Sequence, residues 1–110
     1  MSLEAQDSQM YQVQWSQAFP LAPTGLSATA VSSTQINLSW QDNSDNETGF
    51  RVERSEDRTN FSLFTTTAAN VTAYNDRTRL RAGTTYYYRV RATNPGGDSA
   101  YSDEAKATTN

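Results

Sequence analysis

The oxygen-rich loop at residues 42–47 concentrates the side chains of this sequence that could take part in chemistry. Carboxylate and amide oxygens are the ligands that calcium prefers, and a site takes about 6–8 of them. The spacing is not that of an EF-hand loop, which needs a glycine at its sixth position and a glutamate at its twelfth. Runs of Asn and Asp also form Asx turns. We favour a turn over a calcium site for these residues, which are Asp42, Asn43, Asp45, Asn46 and Glu47.

Other catalytic chemistry has few candidates, because the chain contains no histidine and no cysteine. Ser-His-Asp and Cys-His arrangements are therefore excluded, as are disulfides and thiolate zinc sites. Two carboxylates of the loop could be imagined to hydrolyse a glycoside, but a small loop offers no cleft to hold a sugar. The sequence predicts a protein that is not an enzyme and that needs no cofactor or metal.

Length and charge narrow the class of partner. The 110 residues suit one domain with one core, and 12 acidic against 9 basic side chains give a net charge of −3. Nonspecific nucleic-acid binding needs a basic face, so nucleic acid is not an expected partner. No apolar run approaches the roughly 20 residues of a membrane-spanning helix, so membrane insertion is not expected either.

Residues 80–92 carry the clearest structural pattern in the chain. Alternation with a period of two is typical of a β-strand with one buried and one wetted face. The predicted buried set is Tyr86, Tyr88, Val90 and Ala92, and the wetted set is Tyr87, Arg89 and Arg91. Leu80 and a turn at residues 83–84 precede this strand. That arrangement predicts a tyrosine corner, in which the Tyr86 hydroxyl bonds to backbone just upstream.

Further alternating segments recur at short spacing between residues 24 and 107. They are joined by Ser, Asn, Asp, Pro and Gly clusters, which are typical of turns. Seven such strands without a helix predict an all-β fold, a seven-strand antiparallel Greek-key sandwich of the immunoglobulin type. The predicted structural core consists of Trp40, Tyr86, Leu80, Val52 and Val90.

The order of these residues resembles the fibronectin type III family over residues 21–109. The resemblance rests on Pro23 and Leu26, Ile36-x-Leu38-x-Trp40, Phe50-x-Val52-x-Arg54, Tyr74, and the Leu80 to Ala92 pattern. Residues 42–55 resemble versions found in large secreted or surface bacterial proteins, beside catalytic and carbohydrate-binding domains. Ala82 replaces the proline usual in the family, and no Arg-Gly-Asp motif is present. The resemblance implies the sandwich fold but not integrin binding.

The wetted face of the strand pair around Phe50 and Tyr86 offers a candidate interaction surface. If the two strands are neighbours, its members are Arg51, Tyr87, Arg89 and Arg91, with Glu53 among them. Tyrosine and arginine dominate interface hot spots, which favours a docking face. Cross-strand pairing of Glu53 with an arginine would give a structural ladder instead, and we favour the ladder.

The first 19 residues differ from the rest and are interpreted as an N-terminal arm or linker remnant, with the domain at residues 20–110. Tyr11, Val13 and Trp15 alternate with polar residues, as in a strand. One interpretation of the segment is a remnant of the last strand of a preceding domain. Our hypothesis is that it pairs with an open sheet edge of its own domain or of a neighbouring copy, and pairing with a copy would make a homodimer.

Two functions of different classes follow from these patterns. The favoured one is a non-catalytic interaction or spacer module of a multidomain protein that is secreted or at the cell surface. Its partners would be the neighbouring domains of the parent protein or other proteins. The alternative is a carbohydrate-binding module attached to a secreted polysaccharide-degrading enzyme, which would expose a planar aromatic platform of Tyr87, Tyr101 or Trp15.

Overall fold

A computed structural model describes residues 18–110, which form β-strands joined by turns and loops. The strands are β1 (Thr24–Ala30), β2 (Ile36–Gln41), β3 (Gly49–Ser55), β4 (Ser62–Ala68), β5 (Ala73–Asp76), β6 (Thr85–Asn94), β7 (Gly97–Asp98) and β8 (Ala105–Thr108). Within this range there is no helix long and apolar enough to cross a membrane.

The strands form two antiparallel sheets. One sheet has the order β1-β2-β5, and the other has the order β4-β3-β6, with β7 and β8 both paired to the free side of β6. Leu38 lies opposite Tyr74 in the first sheet, and Val52 lies opposite Val90 in the second. The all-β antiparallel sandwich predicted from the sequence is confirmed.

The strand count differs from the prediction, because the last strand is divided into β7 and β8. The chain advances three residues from Ser99 to Ser102 while the paired strand advances two, from Ala92 to Val90. In this interval the serine hydroxyls accept the N–H groups of Ala92 at 2.9 Å and Val90 at 3.0 Å. Side-chain oxygens thus replace the carbonyls of a regular ladder, and eight strands result instead of seven.

The core lies between the two sheets and draws on both. Its buried hydrophobic residues are Leu26, Ile36, Leu38, Trp40, Phe50, Val52, Leu80, Tyr86, Tyr88, Val90 and Ala92. All five residues of the predicted structural core are in this set. The Trp40 ring of β2 lies 5.6 Å from the Phe50 ring of β3, so this aromatic pair joins one sheet to the other.

The predicted tyrosine corner is present at Tyr86. Its side chain is fully buried, and its hydroxyl oxygen accepts the backbone N–H of Arg81 at 2.8 Å. Without that oxygen the Arg81 N–H would lose its partner beside the core.

We expect Tyr86→Phe to lower the free energy of unfolding by about 1–3 kcal/mol, because it keeps the ring and leaves a donor unsatisfied. Urea unfolding measures this loss. Tyr87→Phe is the matched control, since Tyr87 is only half-buried, and we expect it to be near neutral. Equal stabilities of the Tyr86→Phe and unmodified chains would contradict the corner assignment.

Candidate interaction surfaces

A charged cluster built around Glu53 occupies the outer face of the larger sheet. One carboxylate oxygen of Glu53 accepts from Arg89 Nε at 2.8 Å, and the other accepts from the Tyr101 hydroxyl at 2.8 Å. Arg91 lies farther away, with its Nη2 atom 3.8 Å from Glu53 and 3.2 Å from Asp98. The register of β3 and β6 places four of these residues together, because Glu53 pairs with Arg89 and Arg51 pairs with Arg91.

Aromatic rings cover the arginines of this cluster. The Arg89 guanidinium carbon lies 4.2 Å from the Phe61 ring centre and 3.8 Å from the Tyr101 ring centre. The corresponding atom of Arg91 is 4.5 Å from Tyr101. Burial and the hydrogen bond to Glu53 raise the pKa of Tyr101, against the opposing effect of the two arginines. The phenol therefore stays protonated and keeps donating to Glu53.

This geometry corrects the expectation of a wetted face around Glu53. Glu53 is only 6% exposed, because the irregular segment between β7 and β8 folds Tyr101 over it. Arg51 stays at the margin, with its Nε atom 3.8 Å from Asp98. Tyr87 lies apart from the cluster, in a shallow cleft with Arg58, Glu104 and Lys106. The contacts favour a structural ladder at Arg51, Arg89 and Arg91, and docking by this face stays a hypothesis.

The side chains of the oxygen-rich loop form hydrogen bonds within the loop and to two other segments of the chain. Asp42 accepts the Ser44 N–H at 2.9 Å, which is an Asx turn. Glu47 is buried and accepts the Asn70 N–H at 2.8 Å. Asn43 and Asn46 donate to backbone carbonyls of the N-terminal linker, which we define as residues 18–23. No cluster of three or more metal-ligating side chains occurs among residues 18–110.

We therefore expect millimolar calcium to leave the melting temperature unchanged. A cation that binds only the native state must raise that temperature, whereas side-chain oxygens of Asp42, Asn46 and Glu47 already accept protein donors. Differential scanning calorimetry with calcium and then with chelator checks this. A rise of several degrees that the chelator reverses would contradict it.

A cleft of about 360 Å³ lies at the end of β3, lined by Phe64 and six polar residues that include Arg54 and Asp57. The Asp57 carboxylate accepts the N–H groups of Asn60 at 2.8 Å and Thr59 at 2.9 Å. These bonds hold the pKa of Asp57 well below its usual range. The carboxylate is thus an ionised, turn-forming group and is poorly suited to act as a general acid.

Sequence reasoning missed a buried ionic group that joins the two sheets. Asp76 is fully buried at the end of β5, and one of its oxygens accepts from Arg54 Nη1 at 2.8 Å and the Tyr88 hydroxyl at 2.7 Å. Its other oxygen accepts the Thr78 N–H at 2.9 Å. The resemblance drawn from the sequence includes Arg54 and Tyr88, but nothing in the sequence pairs Arg54 with Asp76 across 22 positions.

The pKa values of the partners follow from this burial. Burial lowers the pKa of Arg54, but the hydrogen bond and charge of Asp76 outweigh it, so the pKa is raised. Burial and the hydrogen bond to Asp76 raise the pKa of Tyr88. Arg54 therefore stays charged and Tyr88 stays neutral, and the group is structural.

The arm residues Tyr11, Val13 and Trp15 lie outside the described residues. Self-association through them stays a prediction, as does the sugar platform at Trp15. Of the other two platform candidates, Tyr101 has arginines against its ring, and Tyr87 is half-buried. The Tyr101 ring is therefore occupied, whereas Tyr87 lines a small cleft with Arg58, Glu104 and Lys106.

Two packed antiparallel sheets joined by a tyrosine corner define a module of the immunoglobulin-like sandwich class. Within that class the chain belongs to the fibronectin type III family, because the family description "Fibronectin type III domain" matches residues 21–108. The resemblance drawn from the sequence is thereby confirmed.

Relatives with this module are longer proteins. The chain is 40% identical over 89 residues to a poly(3-hydroxybutyrate) depolymerase of Ralstonia pickettii, covering 80% of this chain and 16% of that protein. It is 37% identical over 93 residues to an alpha-amylase of Niallia circulans, covering 82% of this chain and 7% of that protein. The chain thus spans less than a fifth of either relative's length.

A similar solved structure is that of an Fn3-like protein from Clostridium thermocellum. It is 32% identical, with a TM-score of 0.68, and the match covers 81% of this chain and 92% of that one. The fold is therefore shared with a bacterial protein of nearly the module's own size.

Proposed function

We propose that this chain is a non-catalytic interaction or spacer module of a multidomain protein that is secreted or at the cell surface. The observation that carries the proposal is the share of each curated relative that the chain matches, 16% of the depolymerase and 7% of the amylase. In both relatives, most of the enzyme lies outside the matched segment. The module's partners are then the neighbouring domains of its parent protein.

The described side chains support a structural role. Glu53, Asp57 and Asp76 are the carboxylates with the most hydrogen-bond partners, and each is held by neighbouring arginines, hydroxyls or backbone N–H groups. Carboxylates held in this way stabilise a fold, whereas an acid catalyst needs a proton to give. The net charge of −3 also disfavours nucleic acid as a partner.

The alternative is a carbohydrate-binding module of a secreted polysaccharide-degrading enzyme. The amylase relative favours it, and Tyr87, half-buried beside Arg58 and Lys106, is the predicted platform tyrosine that stays a candidate among the described residues. A sugar ring stacks on an open aromatic face, which Tyr101 lacks because its ring covers Arg89.

A sedimentation pull-down separates the two functions. The chain is mixed with insoluble cellulose, chitin, agar and poly(3-hydroxybutyrate) granules, and bound protein and released soluble products are measured. We expect the protein to remain in the supernatant and no products to appear. Retention on cellulose, chitin or agar that Tyr87→Ala abolishes would favour the carbohydrate-binding alternative, and product release would contradict the non-catalytic function.

A further inference from the structure

Three asparagine side chains bind the N-terminal linker to one end of the sandwich. Asn46 and Asn94 both donate to the carbonyl oxygen of Ala18, at 3.0 and 2.8 Å. Asn43 donates to the carbonyl oxygen of Ala22 at 3.0 Å. We call these three residues the linker asparagines. They come from the loop after β2 and from the end of β6, so both sheets hold the linker.

The linker asparagines are themselves fixed in position. Asn94 is 8% exposed; its amide nitrogen also donates to the Asn46 carbonyl at 3.1 Å, and its amide oxygen accepts the Gly96 N–H at 2.8 Å. The Asn46 side-chain oxygen accepts from the Ser44 hydroxyl at 2.7 Å. Because the oxygens of Asn94 and Asn46 are engaged locally, their amide N–H groups point at the linker.

The linker backbone is restricted before any of these bonds form. Pro20 and Pro23 have fixed φ angles, and each biases its predecessor, Phe19 or Ala22, toward an extended conformation. Both prolines are buried against the module. The two prolines therefore reduce the number of conformations open to the linker, and the hydrogen bonds have fewer of them to exclude.

The Phe19 ring makes a third contact with the module, at Gly97. A methyl group placed on Gly97 would lie 2.6 Å from Phe19 Cε1, and Gly97 has a φ of +140°, which favours glycine. The absence of a side chain at Gly97 therefore lets the ring lie directly on the β6–β7 turn.

We propose that the linker asparagines hold residues 18–23 as a rigid entry segment, so that the module fixes the direction of the chain that precedes Ala18. This inference rests on the proposed spacer function and specifies which contacts hold the N-terminal end of the spacer in one direction. Loss of the asparagine donors would free the segment without unfolding the sandwich, because the hydrophobic core that holds the sheets together contains none of these asparagines.

Backbone order parameters from ¹⁵N relaxation test the inference on the full 110-residue chain. Order parameters are about 0.85 in rigid backbone and below about 0.6 in flexible backbone. In the unmodified chain we expect the order parameters of Phe19 and Leu21 to match those of the strand residues. In Asn46→Asp/Asn94→Asp, which keeps both acceptor oxygens and removes both donors, we expect their values to fall below about 0.6.

Asn37→Asp is the matched control. The Asn37 side-chain oxygen accepts from Gln35 and not from the linker, so this substitution leaves the linker contacts intact. Flexible values at Phe19 and Leu21 in the unmodified chain would overturn the proposal. Unchanged values in the double variant would overturn the role of the asparagines. If the double variant does not fold, Asn43→Asp takes its place. We then expect the order parameter of Ala22 to fall, and an unchanged value would contradict the proposal.

These order parameters report on the linker whether or not the module binds a polymer. A flexible linker would overturn this inference and leave the non-catalytic function intact. Retention on a polysaccharide in the pull-down would instead favour the carbohydrate-binding alternative and leave this inference intact.

Discussion

Asp76→Ala is expected to lower the free energy of unfolding by about 3–5 kcal/mol, because it leaves the Arg54 guanidinium in the protein without its partner. The Arg54 side chain is only 17% exposed, so water replaces the lost carboxylate poorly. Tyr88 also loses the acceptor of its hydroxyl. Total stabilities of about 5–15 kcal/mol are typical of small domains, so the variant is expected to lose a large share of its stability.

The exposed pair of Arg58 and Glu104 supplies the control for Asp76. Their side chains are 72% and 41% exposed at an N–O distance of 3.2 Å, and such pairs contribute about 0–1 kcal/mol. Glu104→Ala should therefore change the urea midpoint little. Adding Arg54→Met to Asp76→Ala should restore part of the stability, because no unpaired charge then remains. Equal effects of Asp76→Ala and Glu104→Ala would contradict the structural role of the buried group.

Trp40→Ala is expected to cost about 3–5 kcal/mol, the usual range for removing a large aromatic side chain from a core. Trp40 is 5% exposed, and its contact with Phe50 joins the two sheets. Its indole N–H is buried with no hydrogen-bond partner within residues 18–110. Trp40→Phe removes this unsatisfied donor with less loss of volume, so its cost should be well below that of alanine.

Leu63→Ala is the control for the Trp40→Ala variant. Leu63 is 44% exposed on the outer side of β4, and such surface substitutions usually change stability by no more than about 0.5 kcal/mol. Thermal or urea unfolding of the variants gives the comparison. A stable Trp40→Ala variant, within about 1 kcal/mol of the unmodified chain, would show that the sheets are held together by other residues.

Local periodicity made most of the fold predictable. In β6 the alternation of Tyr86, Tyr88 and Val90 with outward residues fixes both the strand and its buried face, because side chains of a strand alternate between two sides. The division of the last strand was not predictable in this way. Ser99 and Ser102 interrupt the ladder through hydroxyl bonds to β6, and a serine in a strand gives no local sign of such a bond.

The candidate surfaces were less predictable because their contacts join distant parts of the chain. Asn46 and Asn94 are of a residue type common in turns, and their partner is the backbone carbonyl of Ala18, which has no distinctive side chain. Glu53 occupies an outward position in β3, and only the path of the chain around Tyr101 buries it. Residue types indicated turns and a ladder, whereas the linker contacts depend on tertiary structure.

The central claim is that the module separates its two ends by a fixed distance. Double electron–electron resonance, which measures the distance between two spin labels, tests it most directly. The chain has no cysteine, so Ala18→Cys and Asn110→Cys, both at exposed positions, give two unique label sites at opposite ends of the described chain. We predict a single narrow distance distribution, which Asn46→Asp/Asn94→Asp broadens and Asn37→Asp leaves unchanged. A broad distribution in the otherwise unmodified chain would contradict the rigid entry segment and, with it, the fixed distance between the two ends.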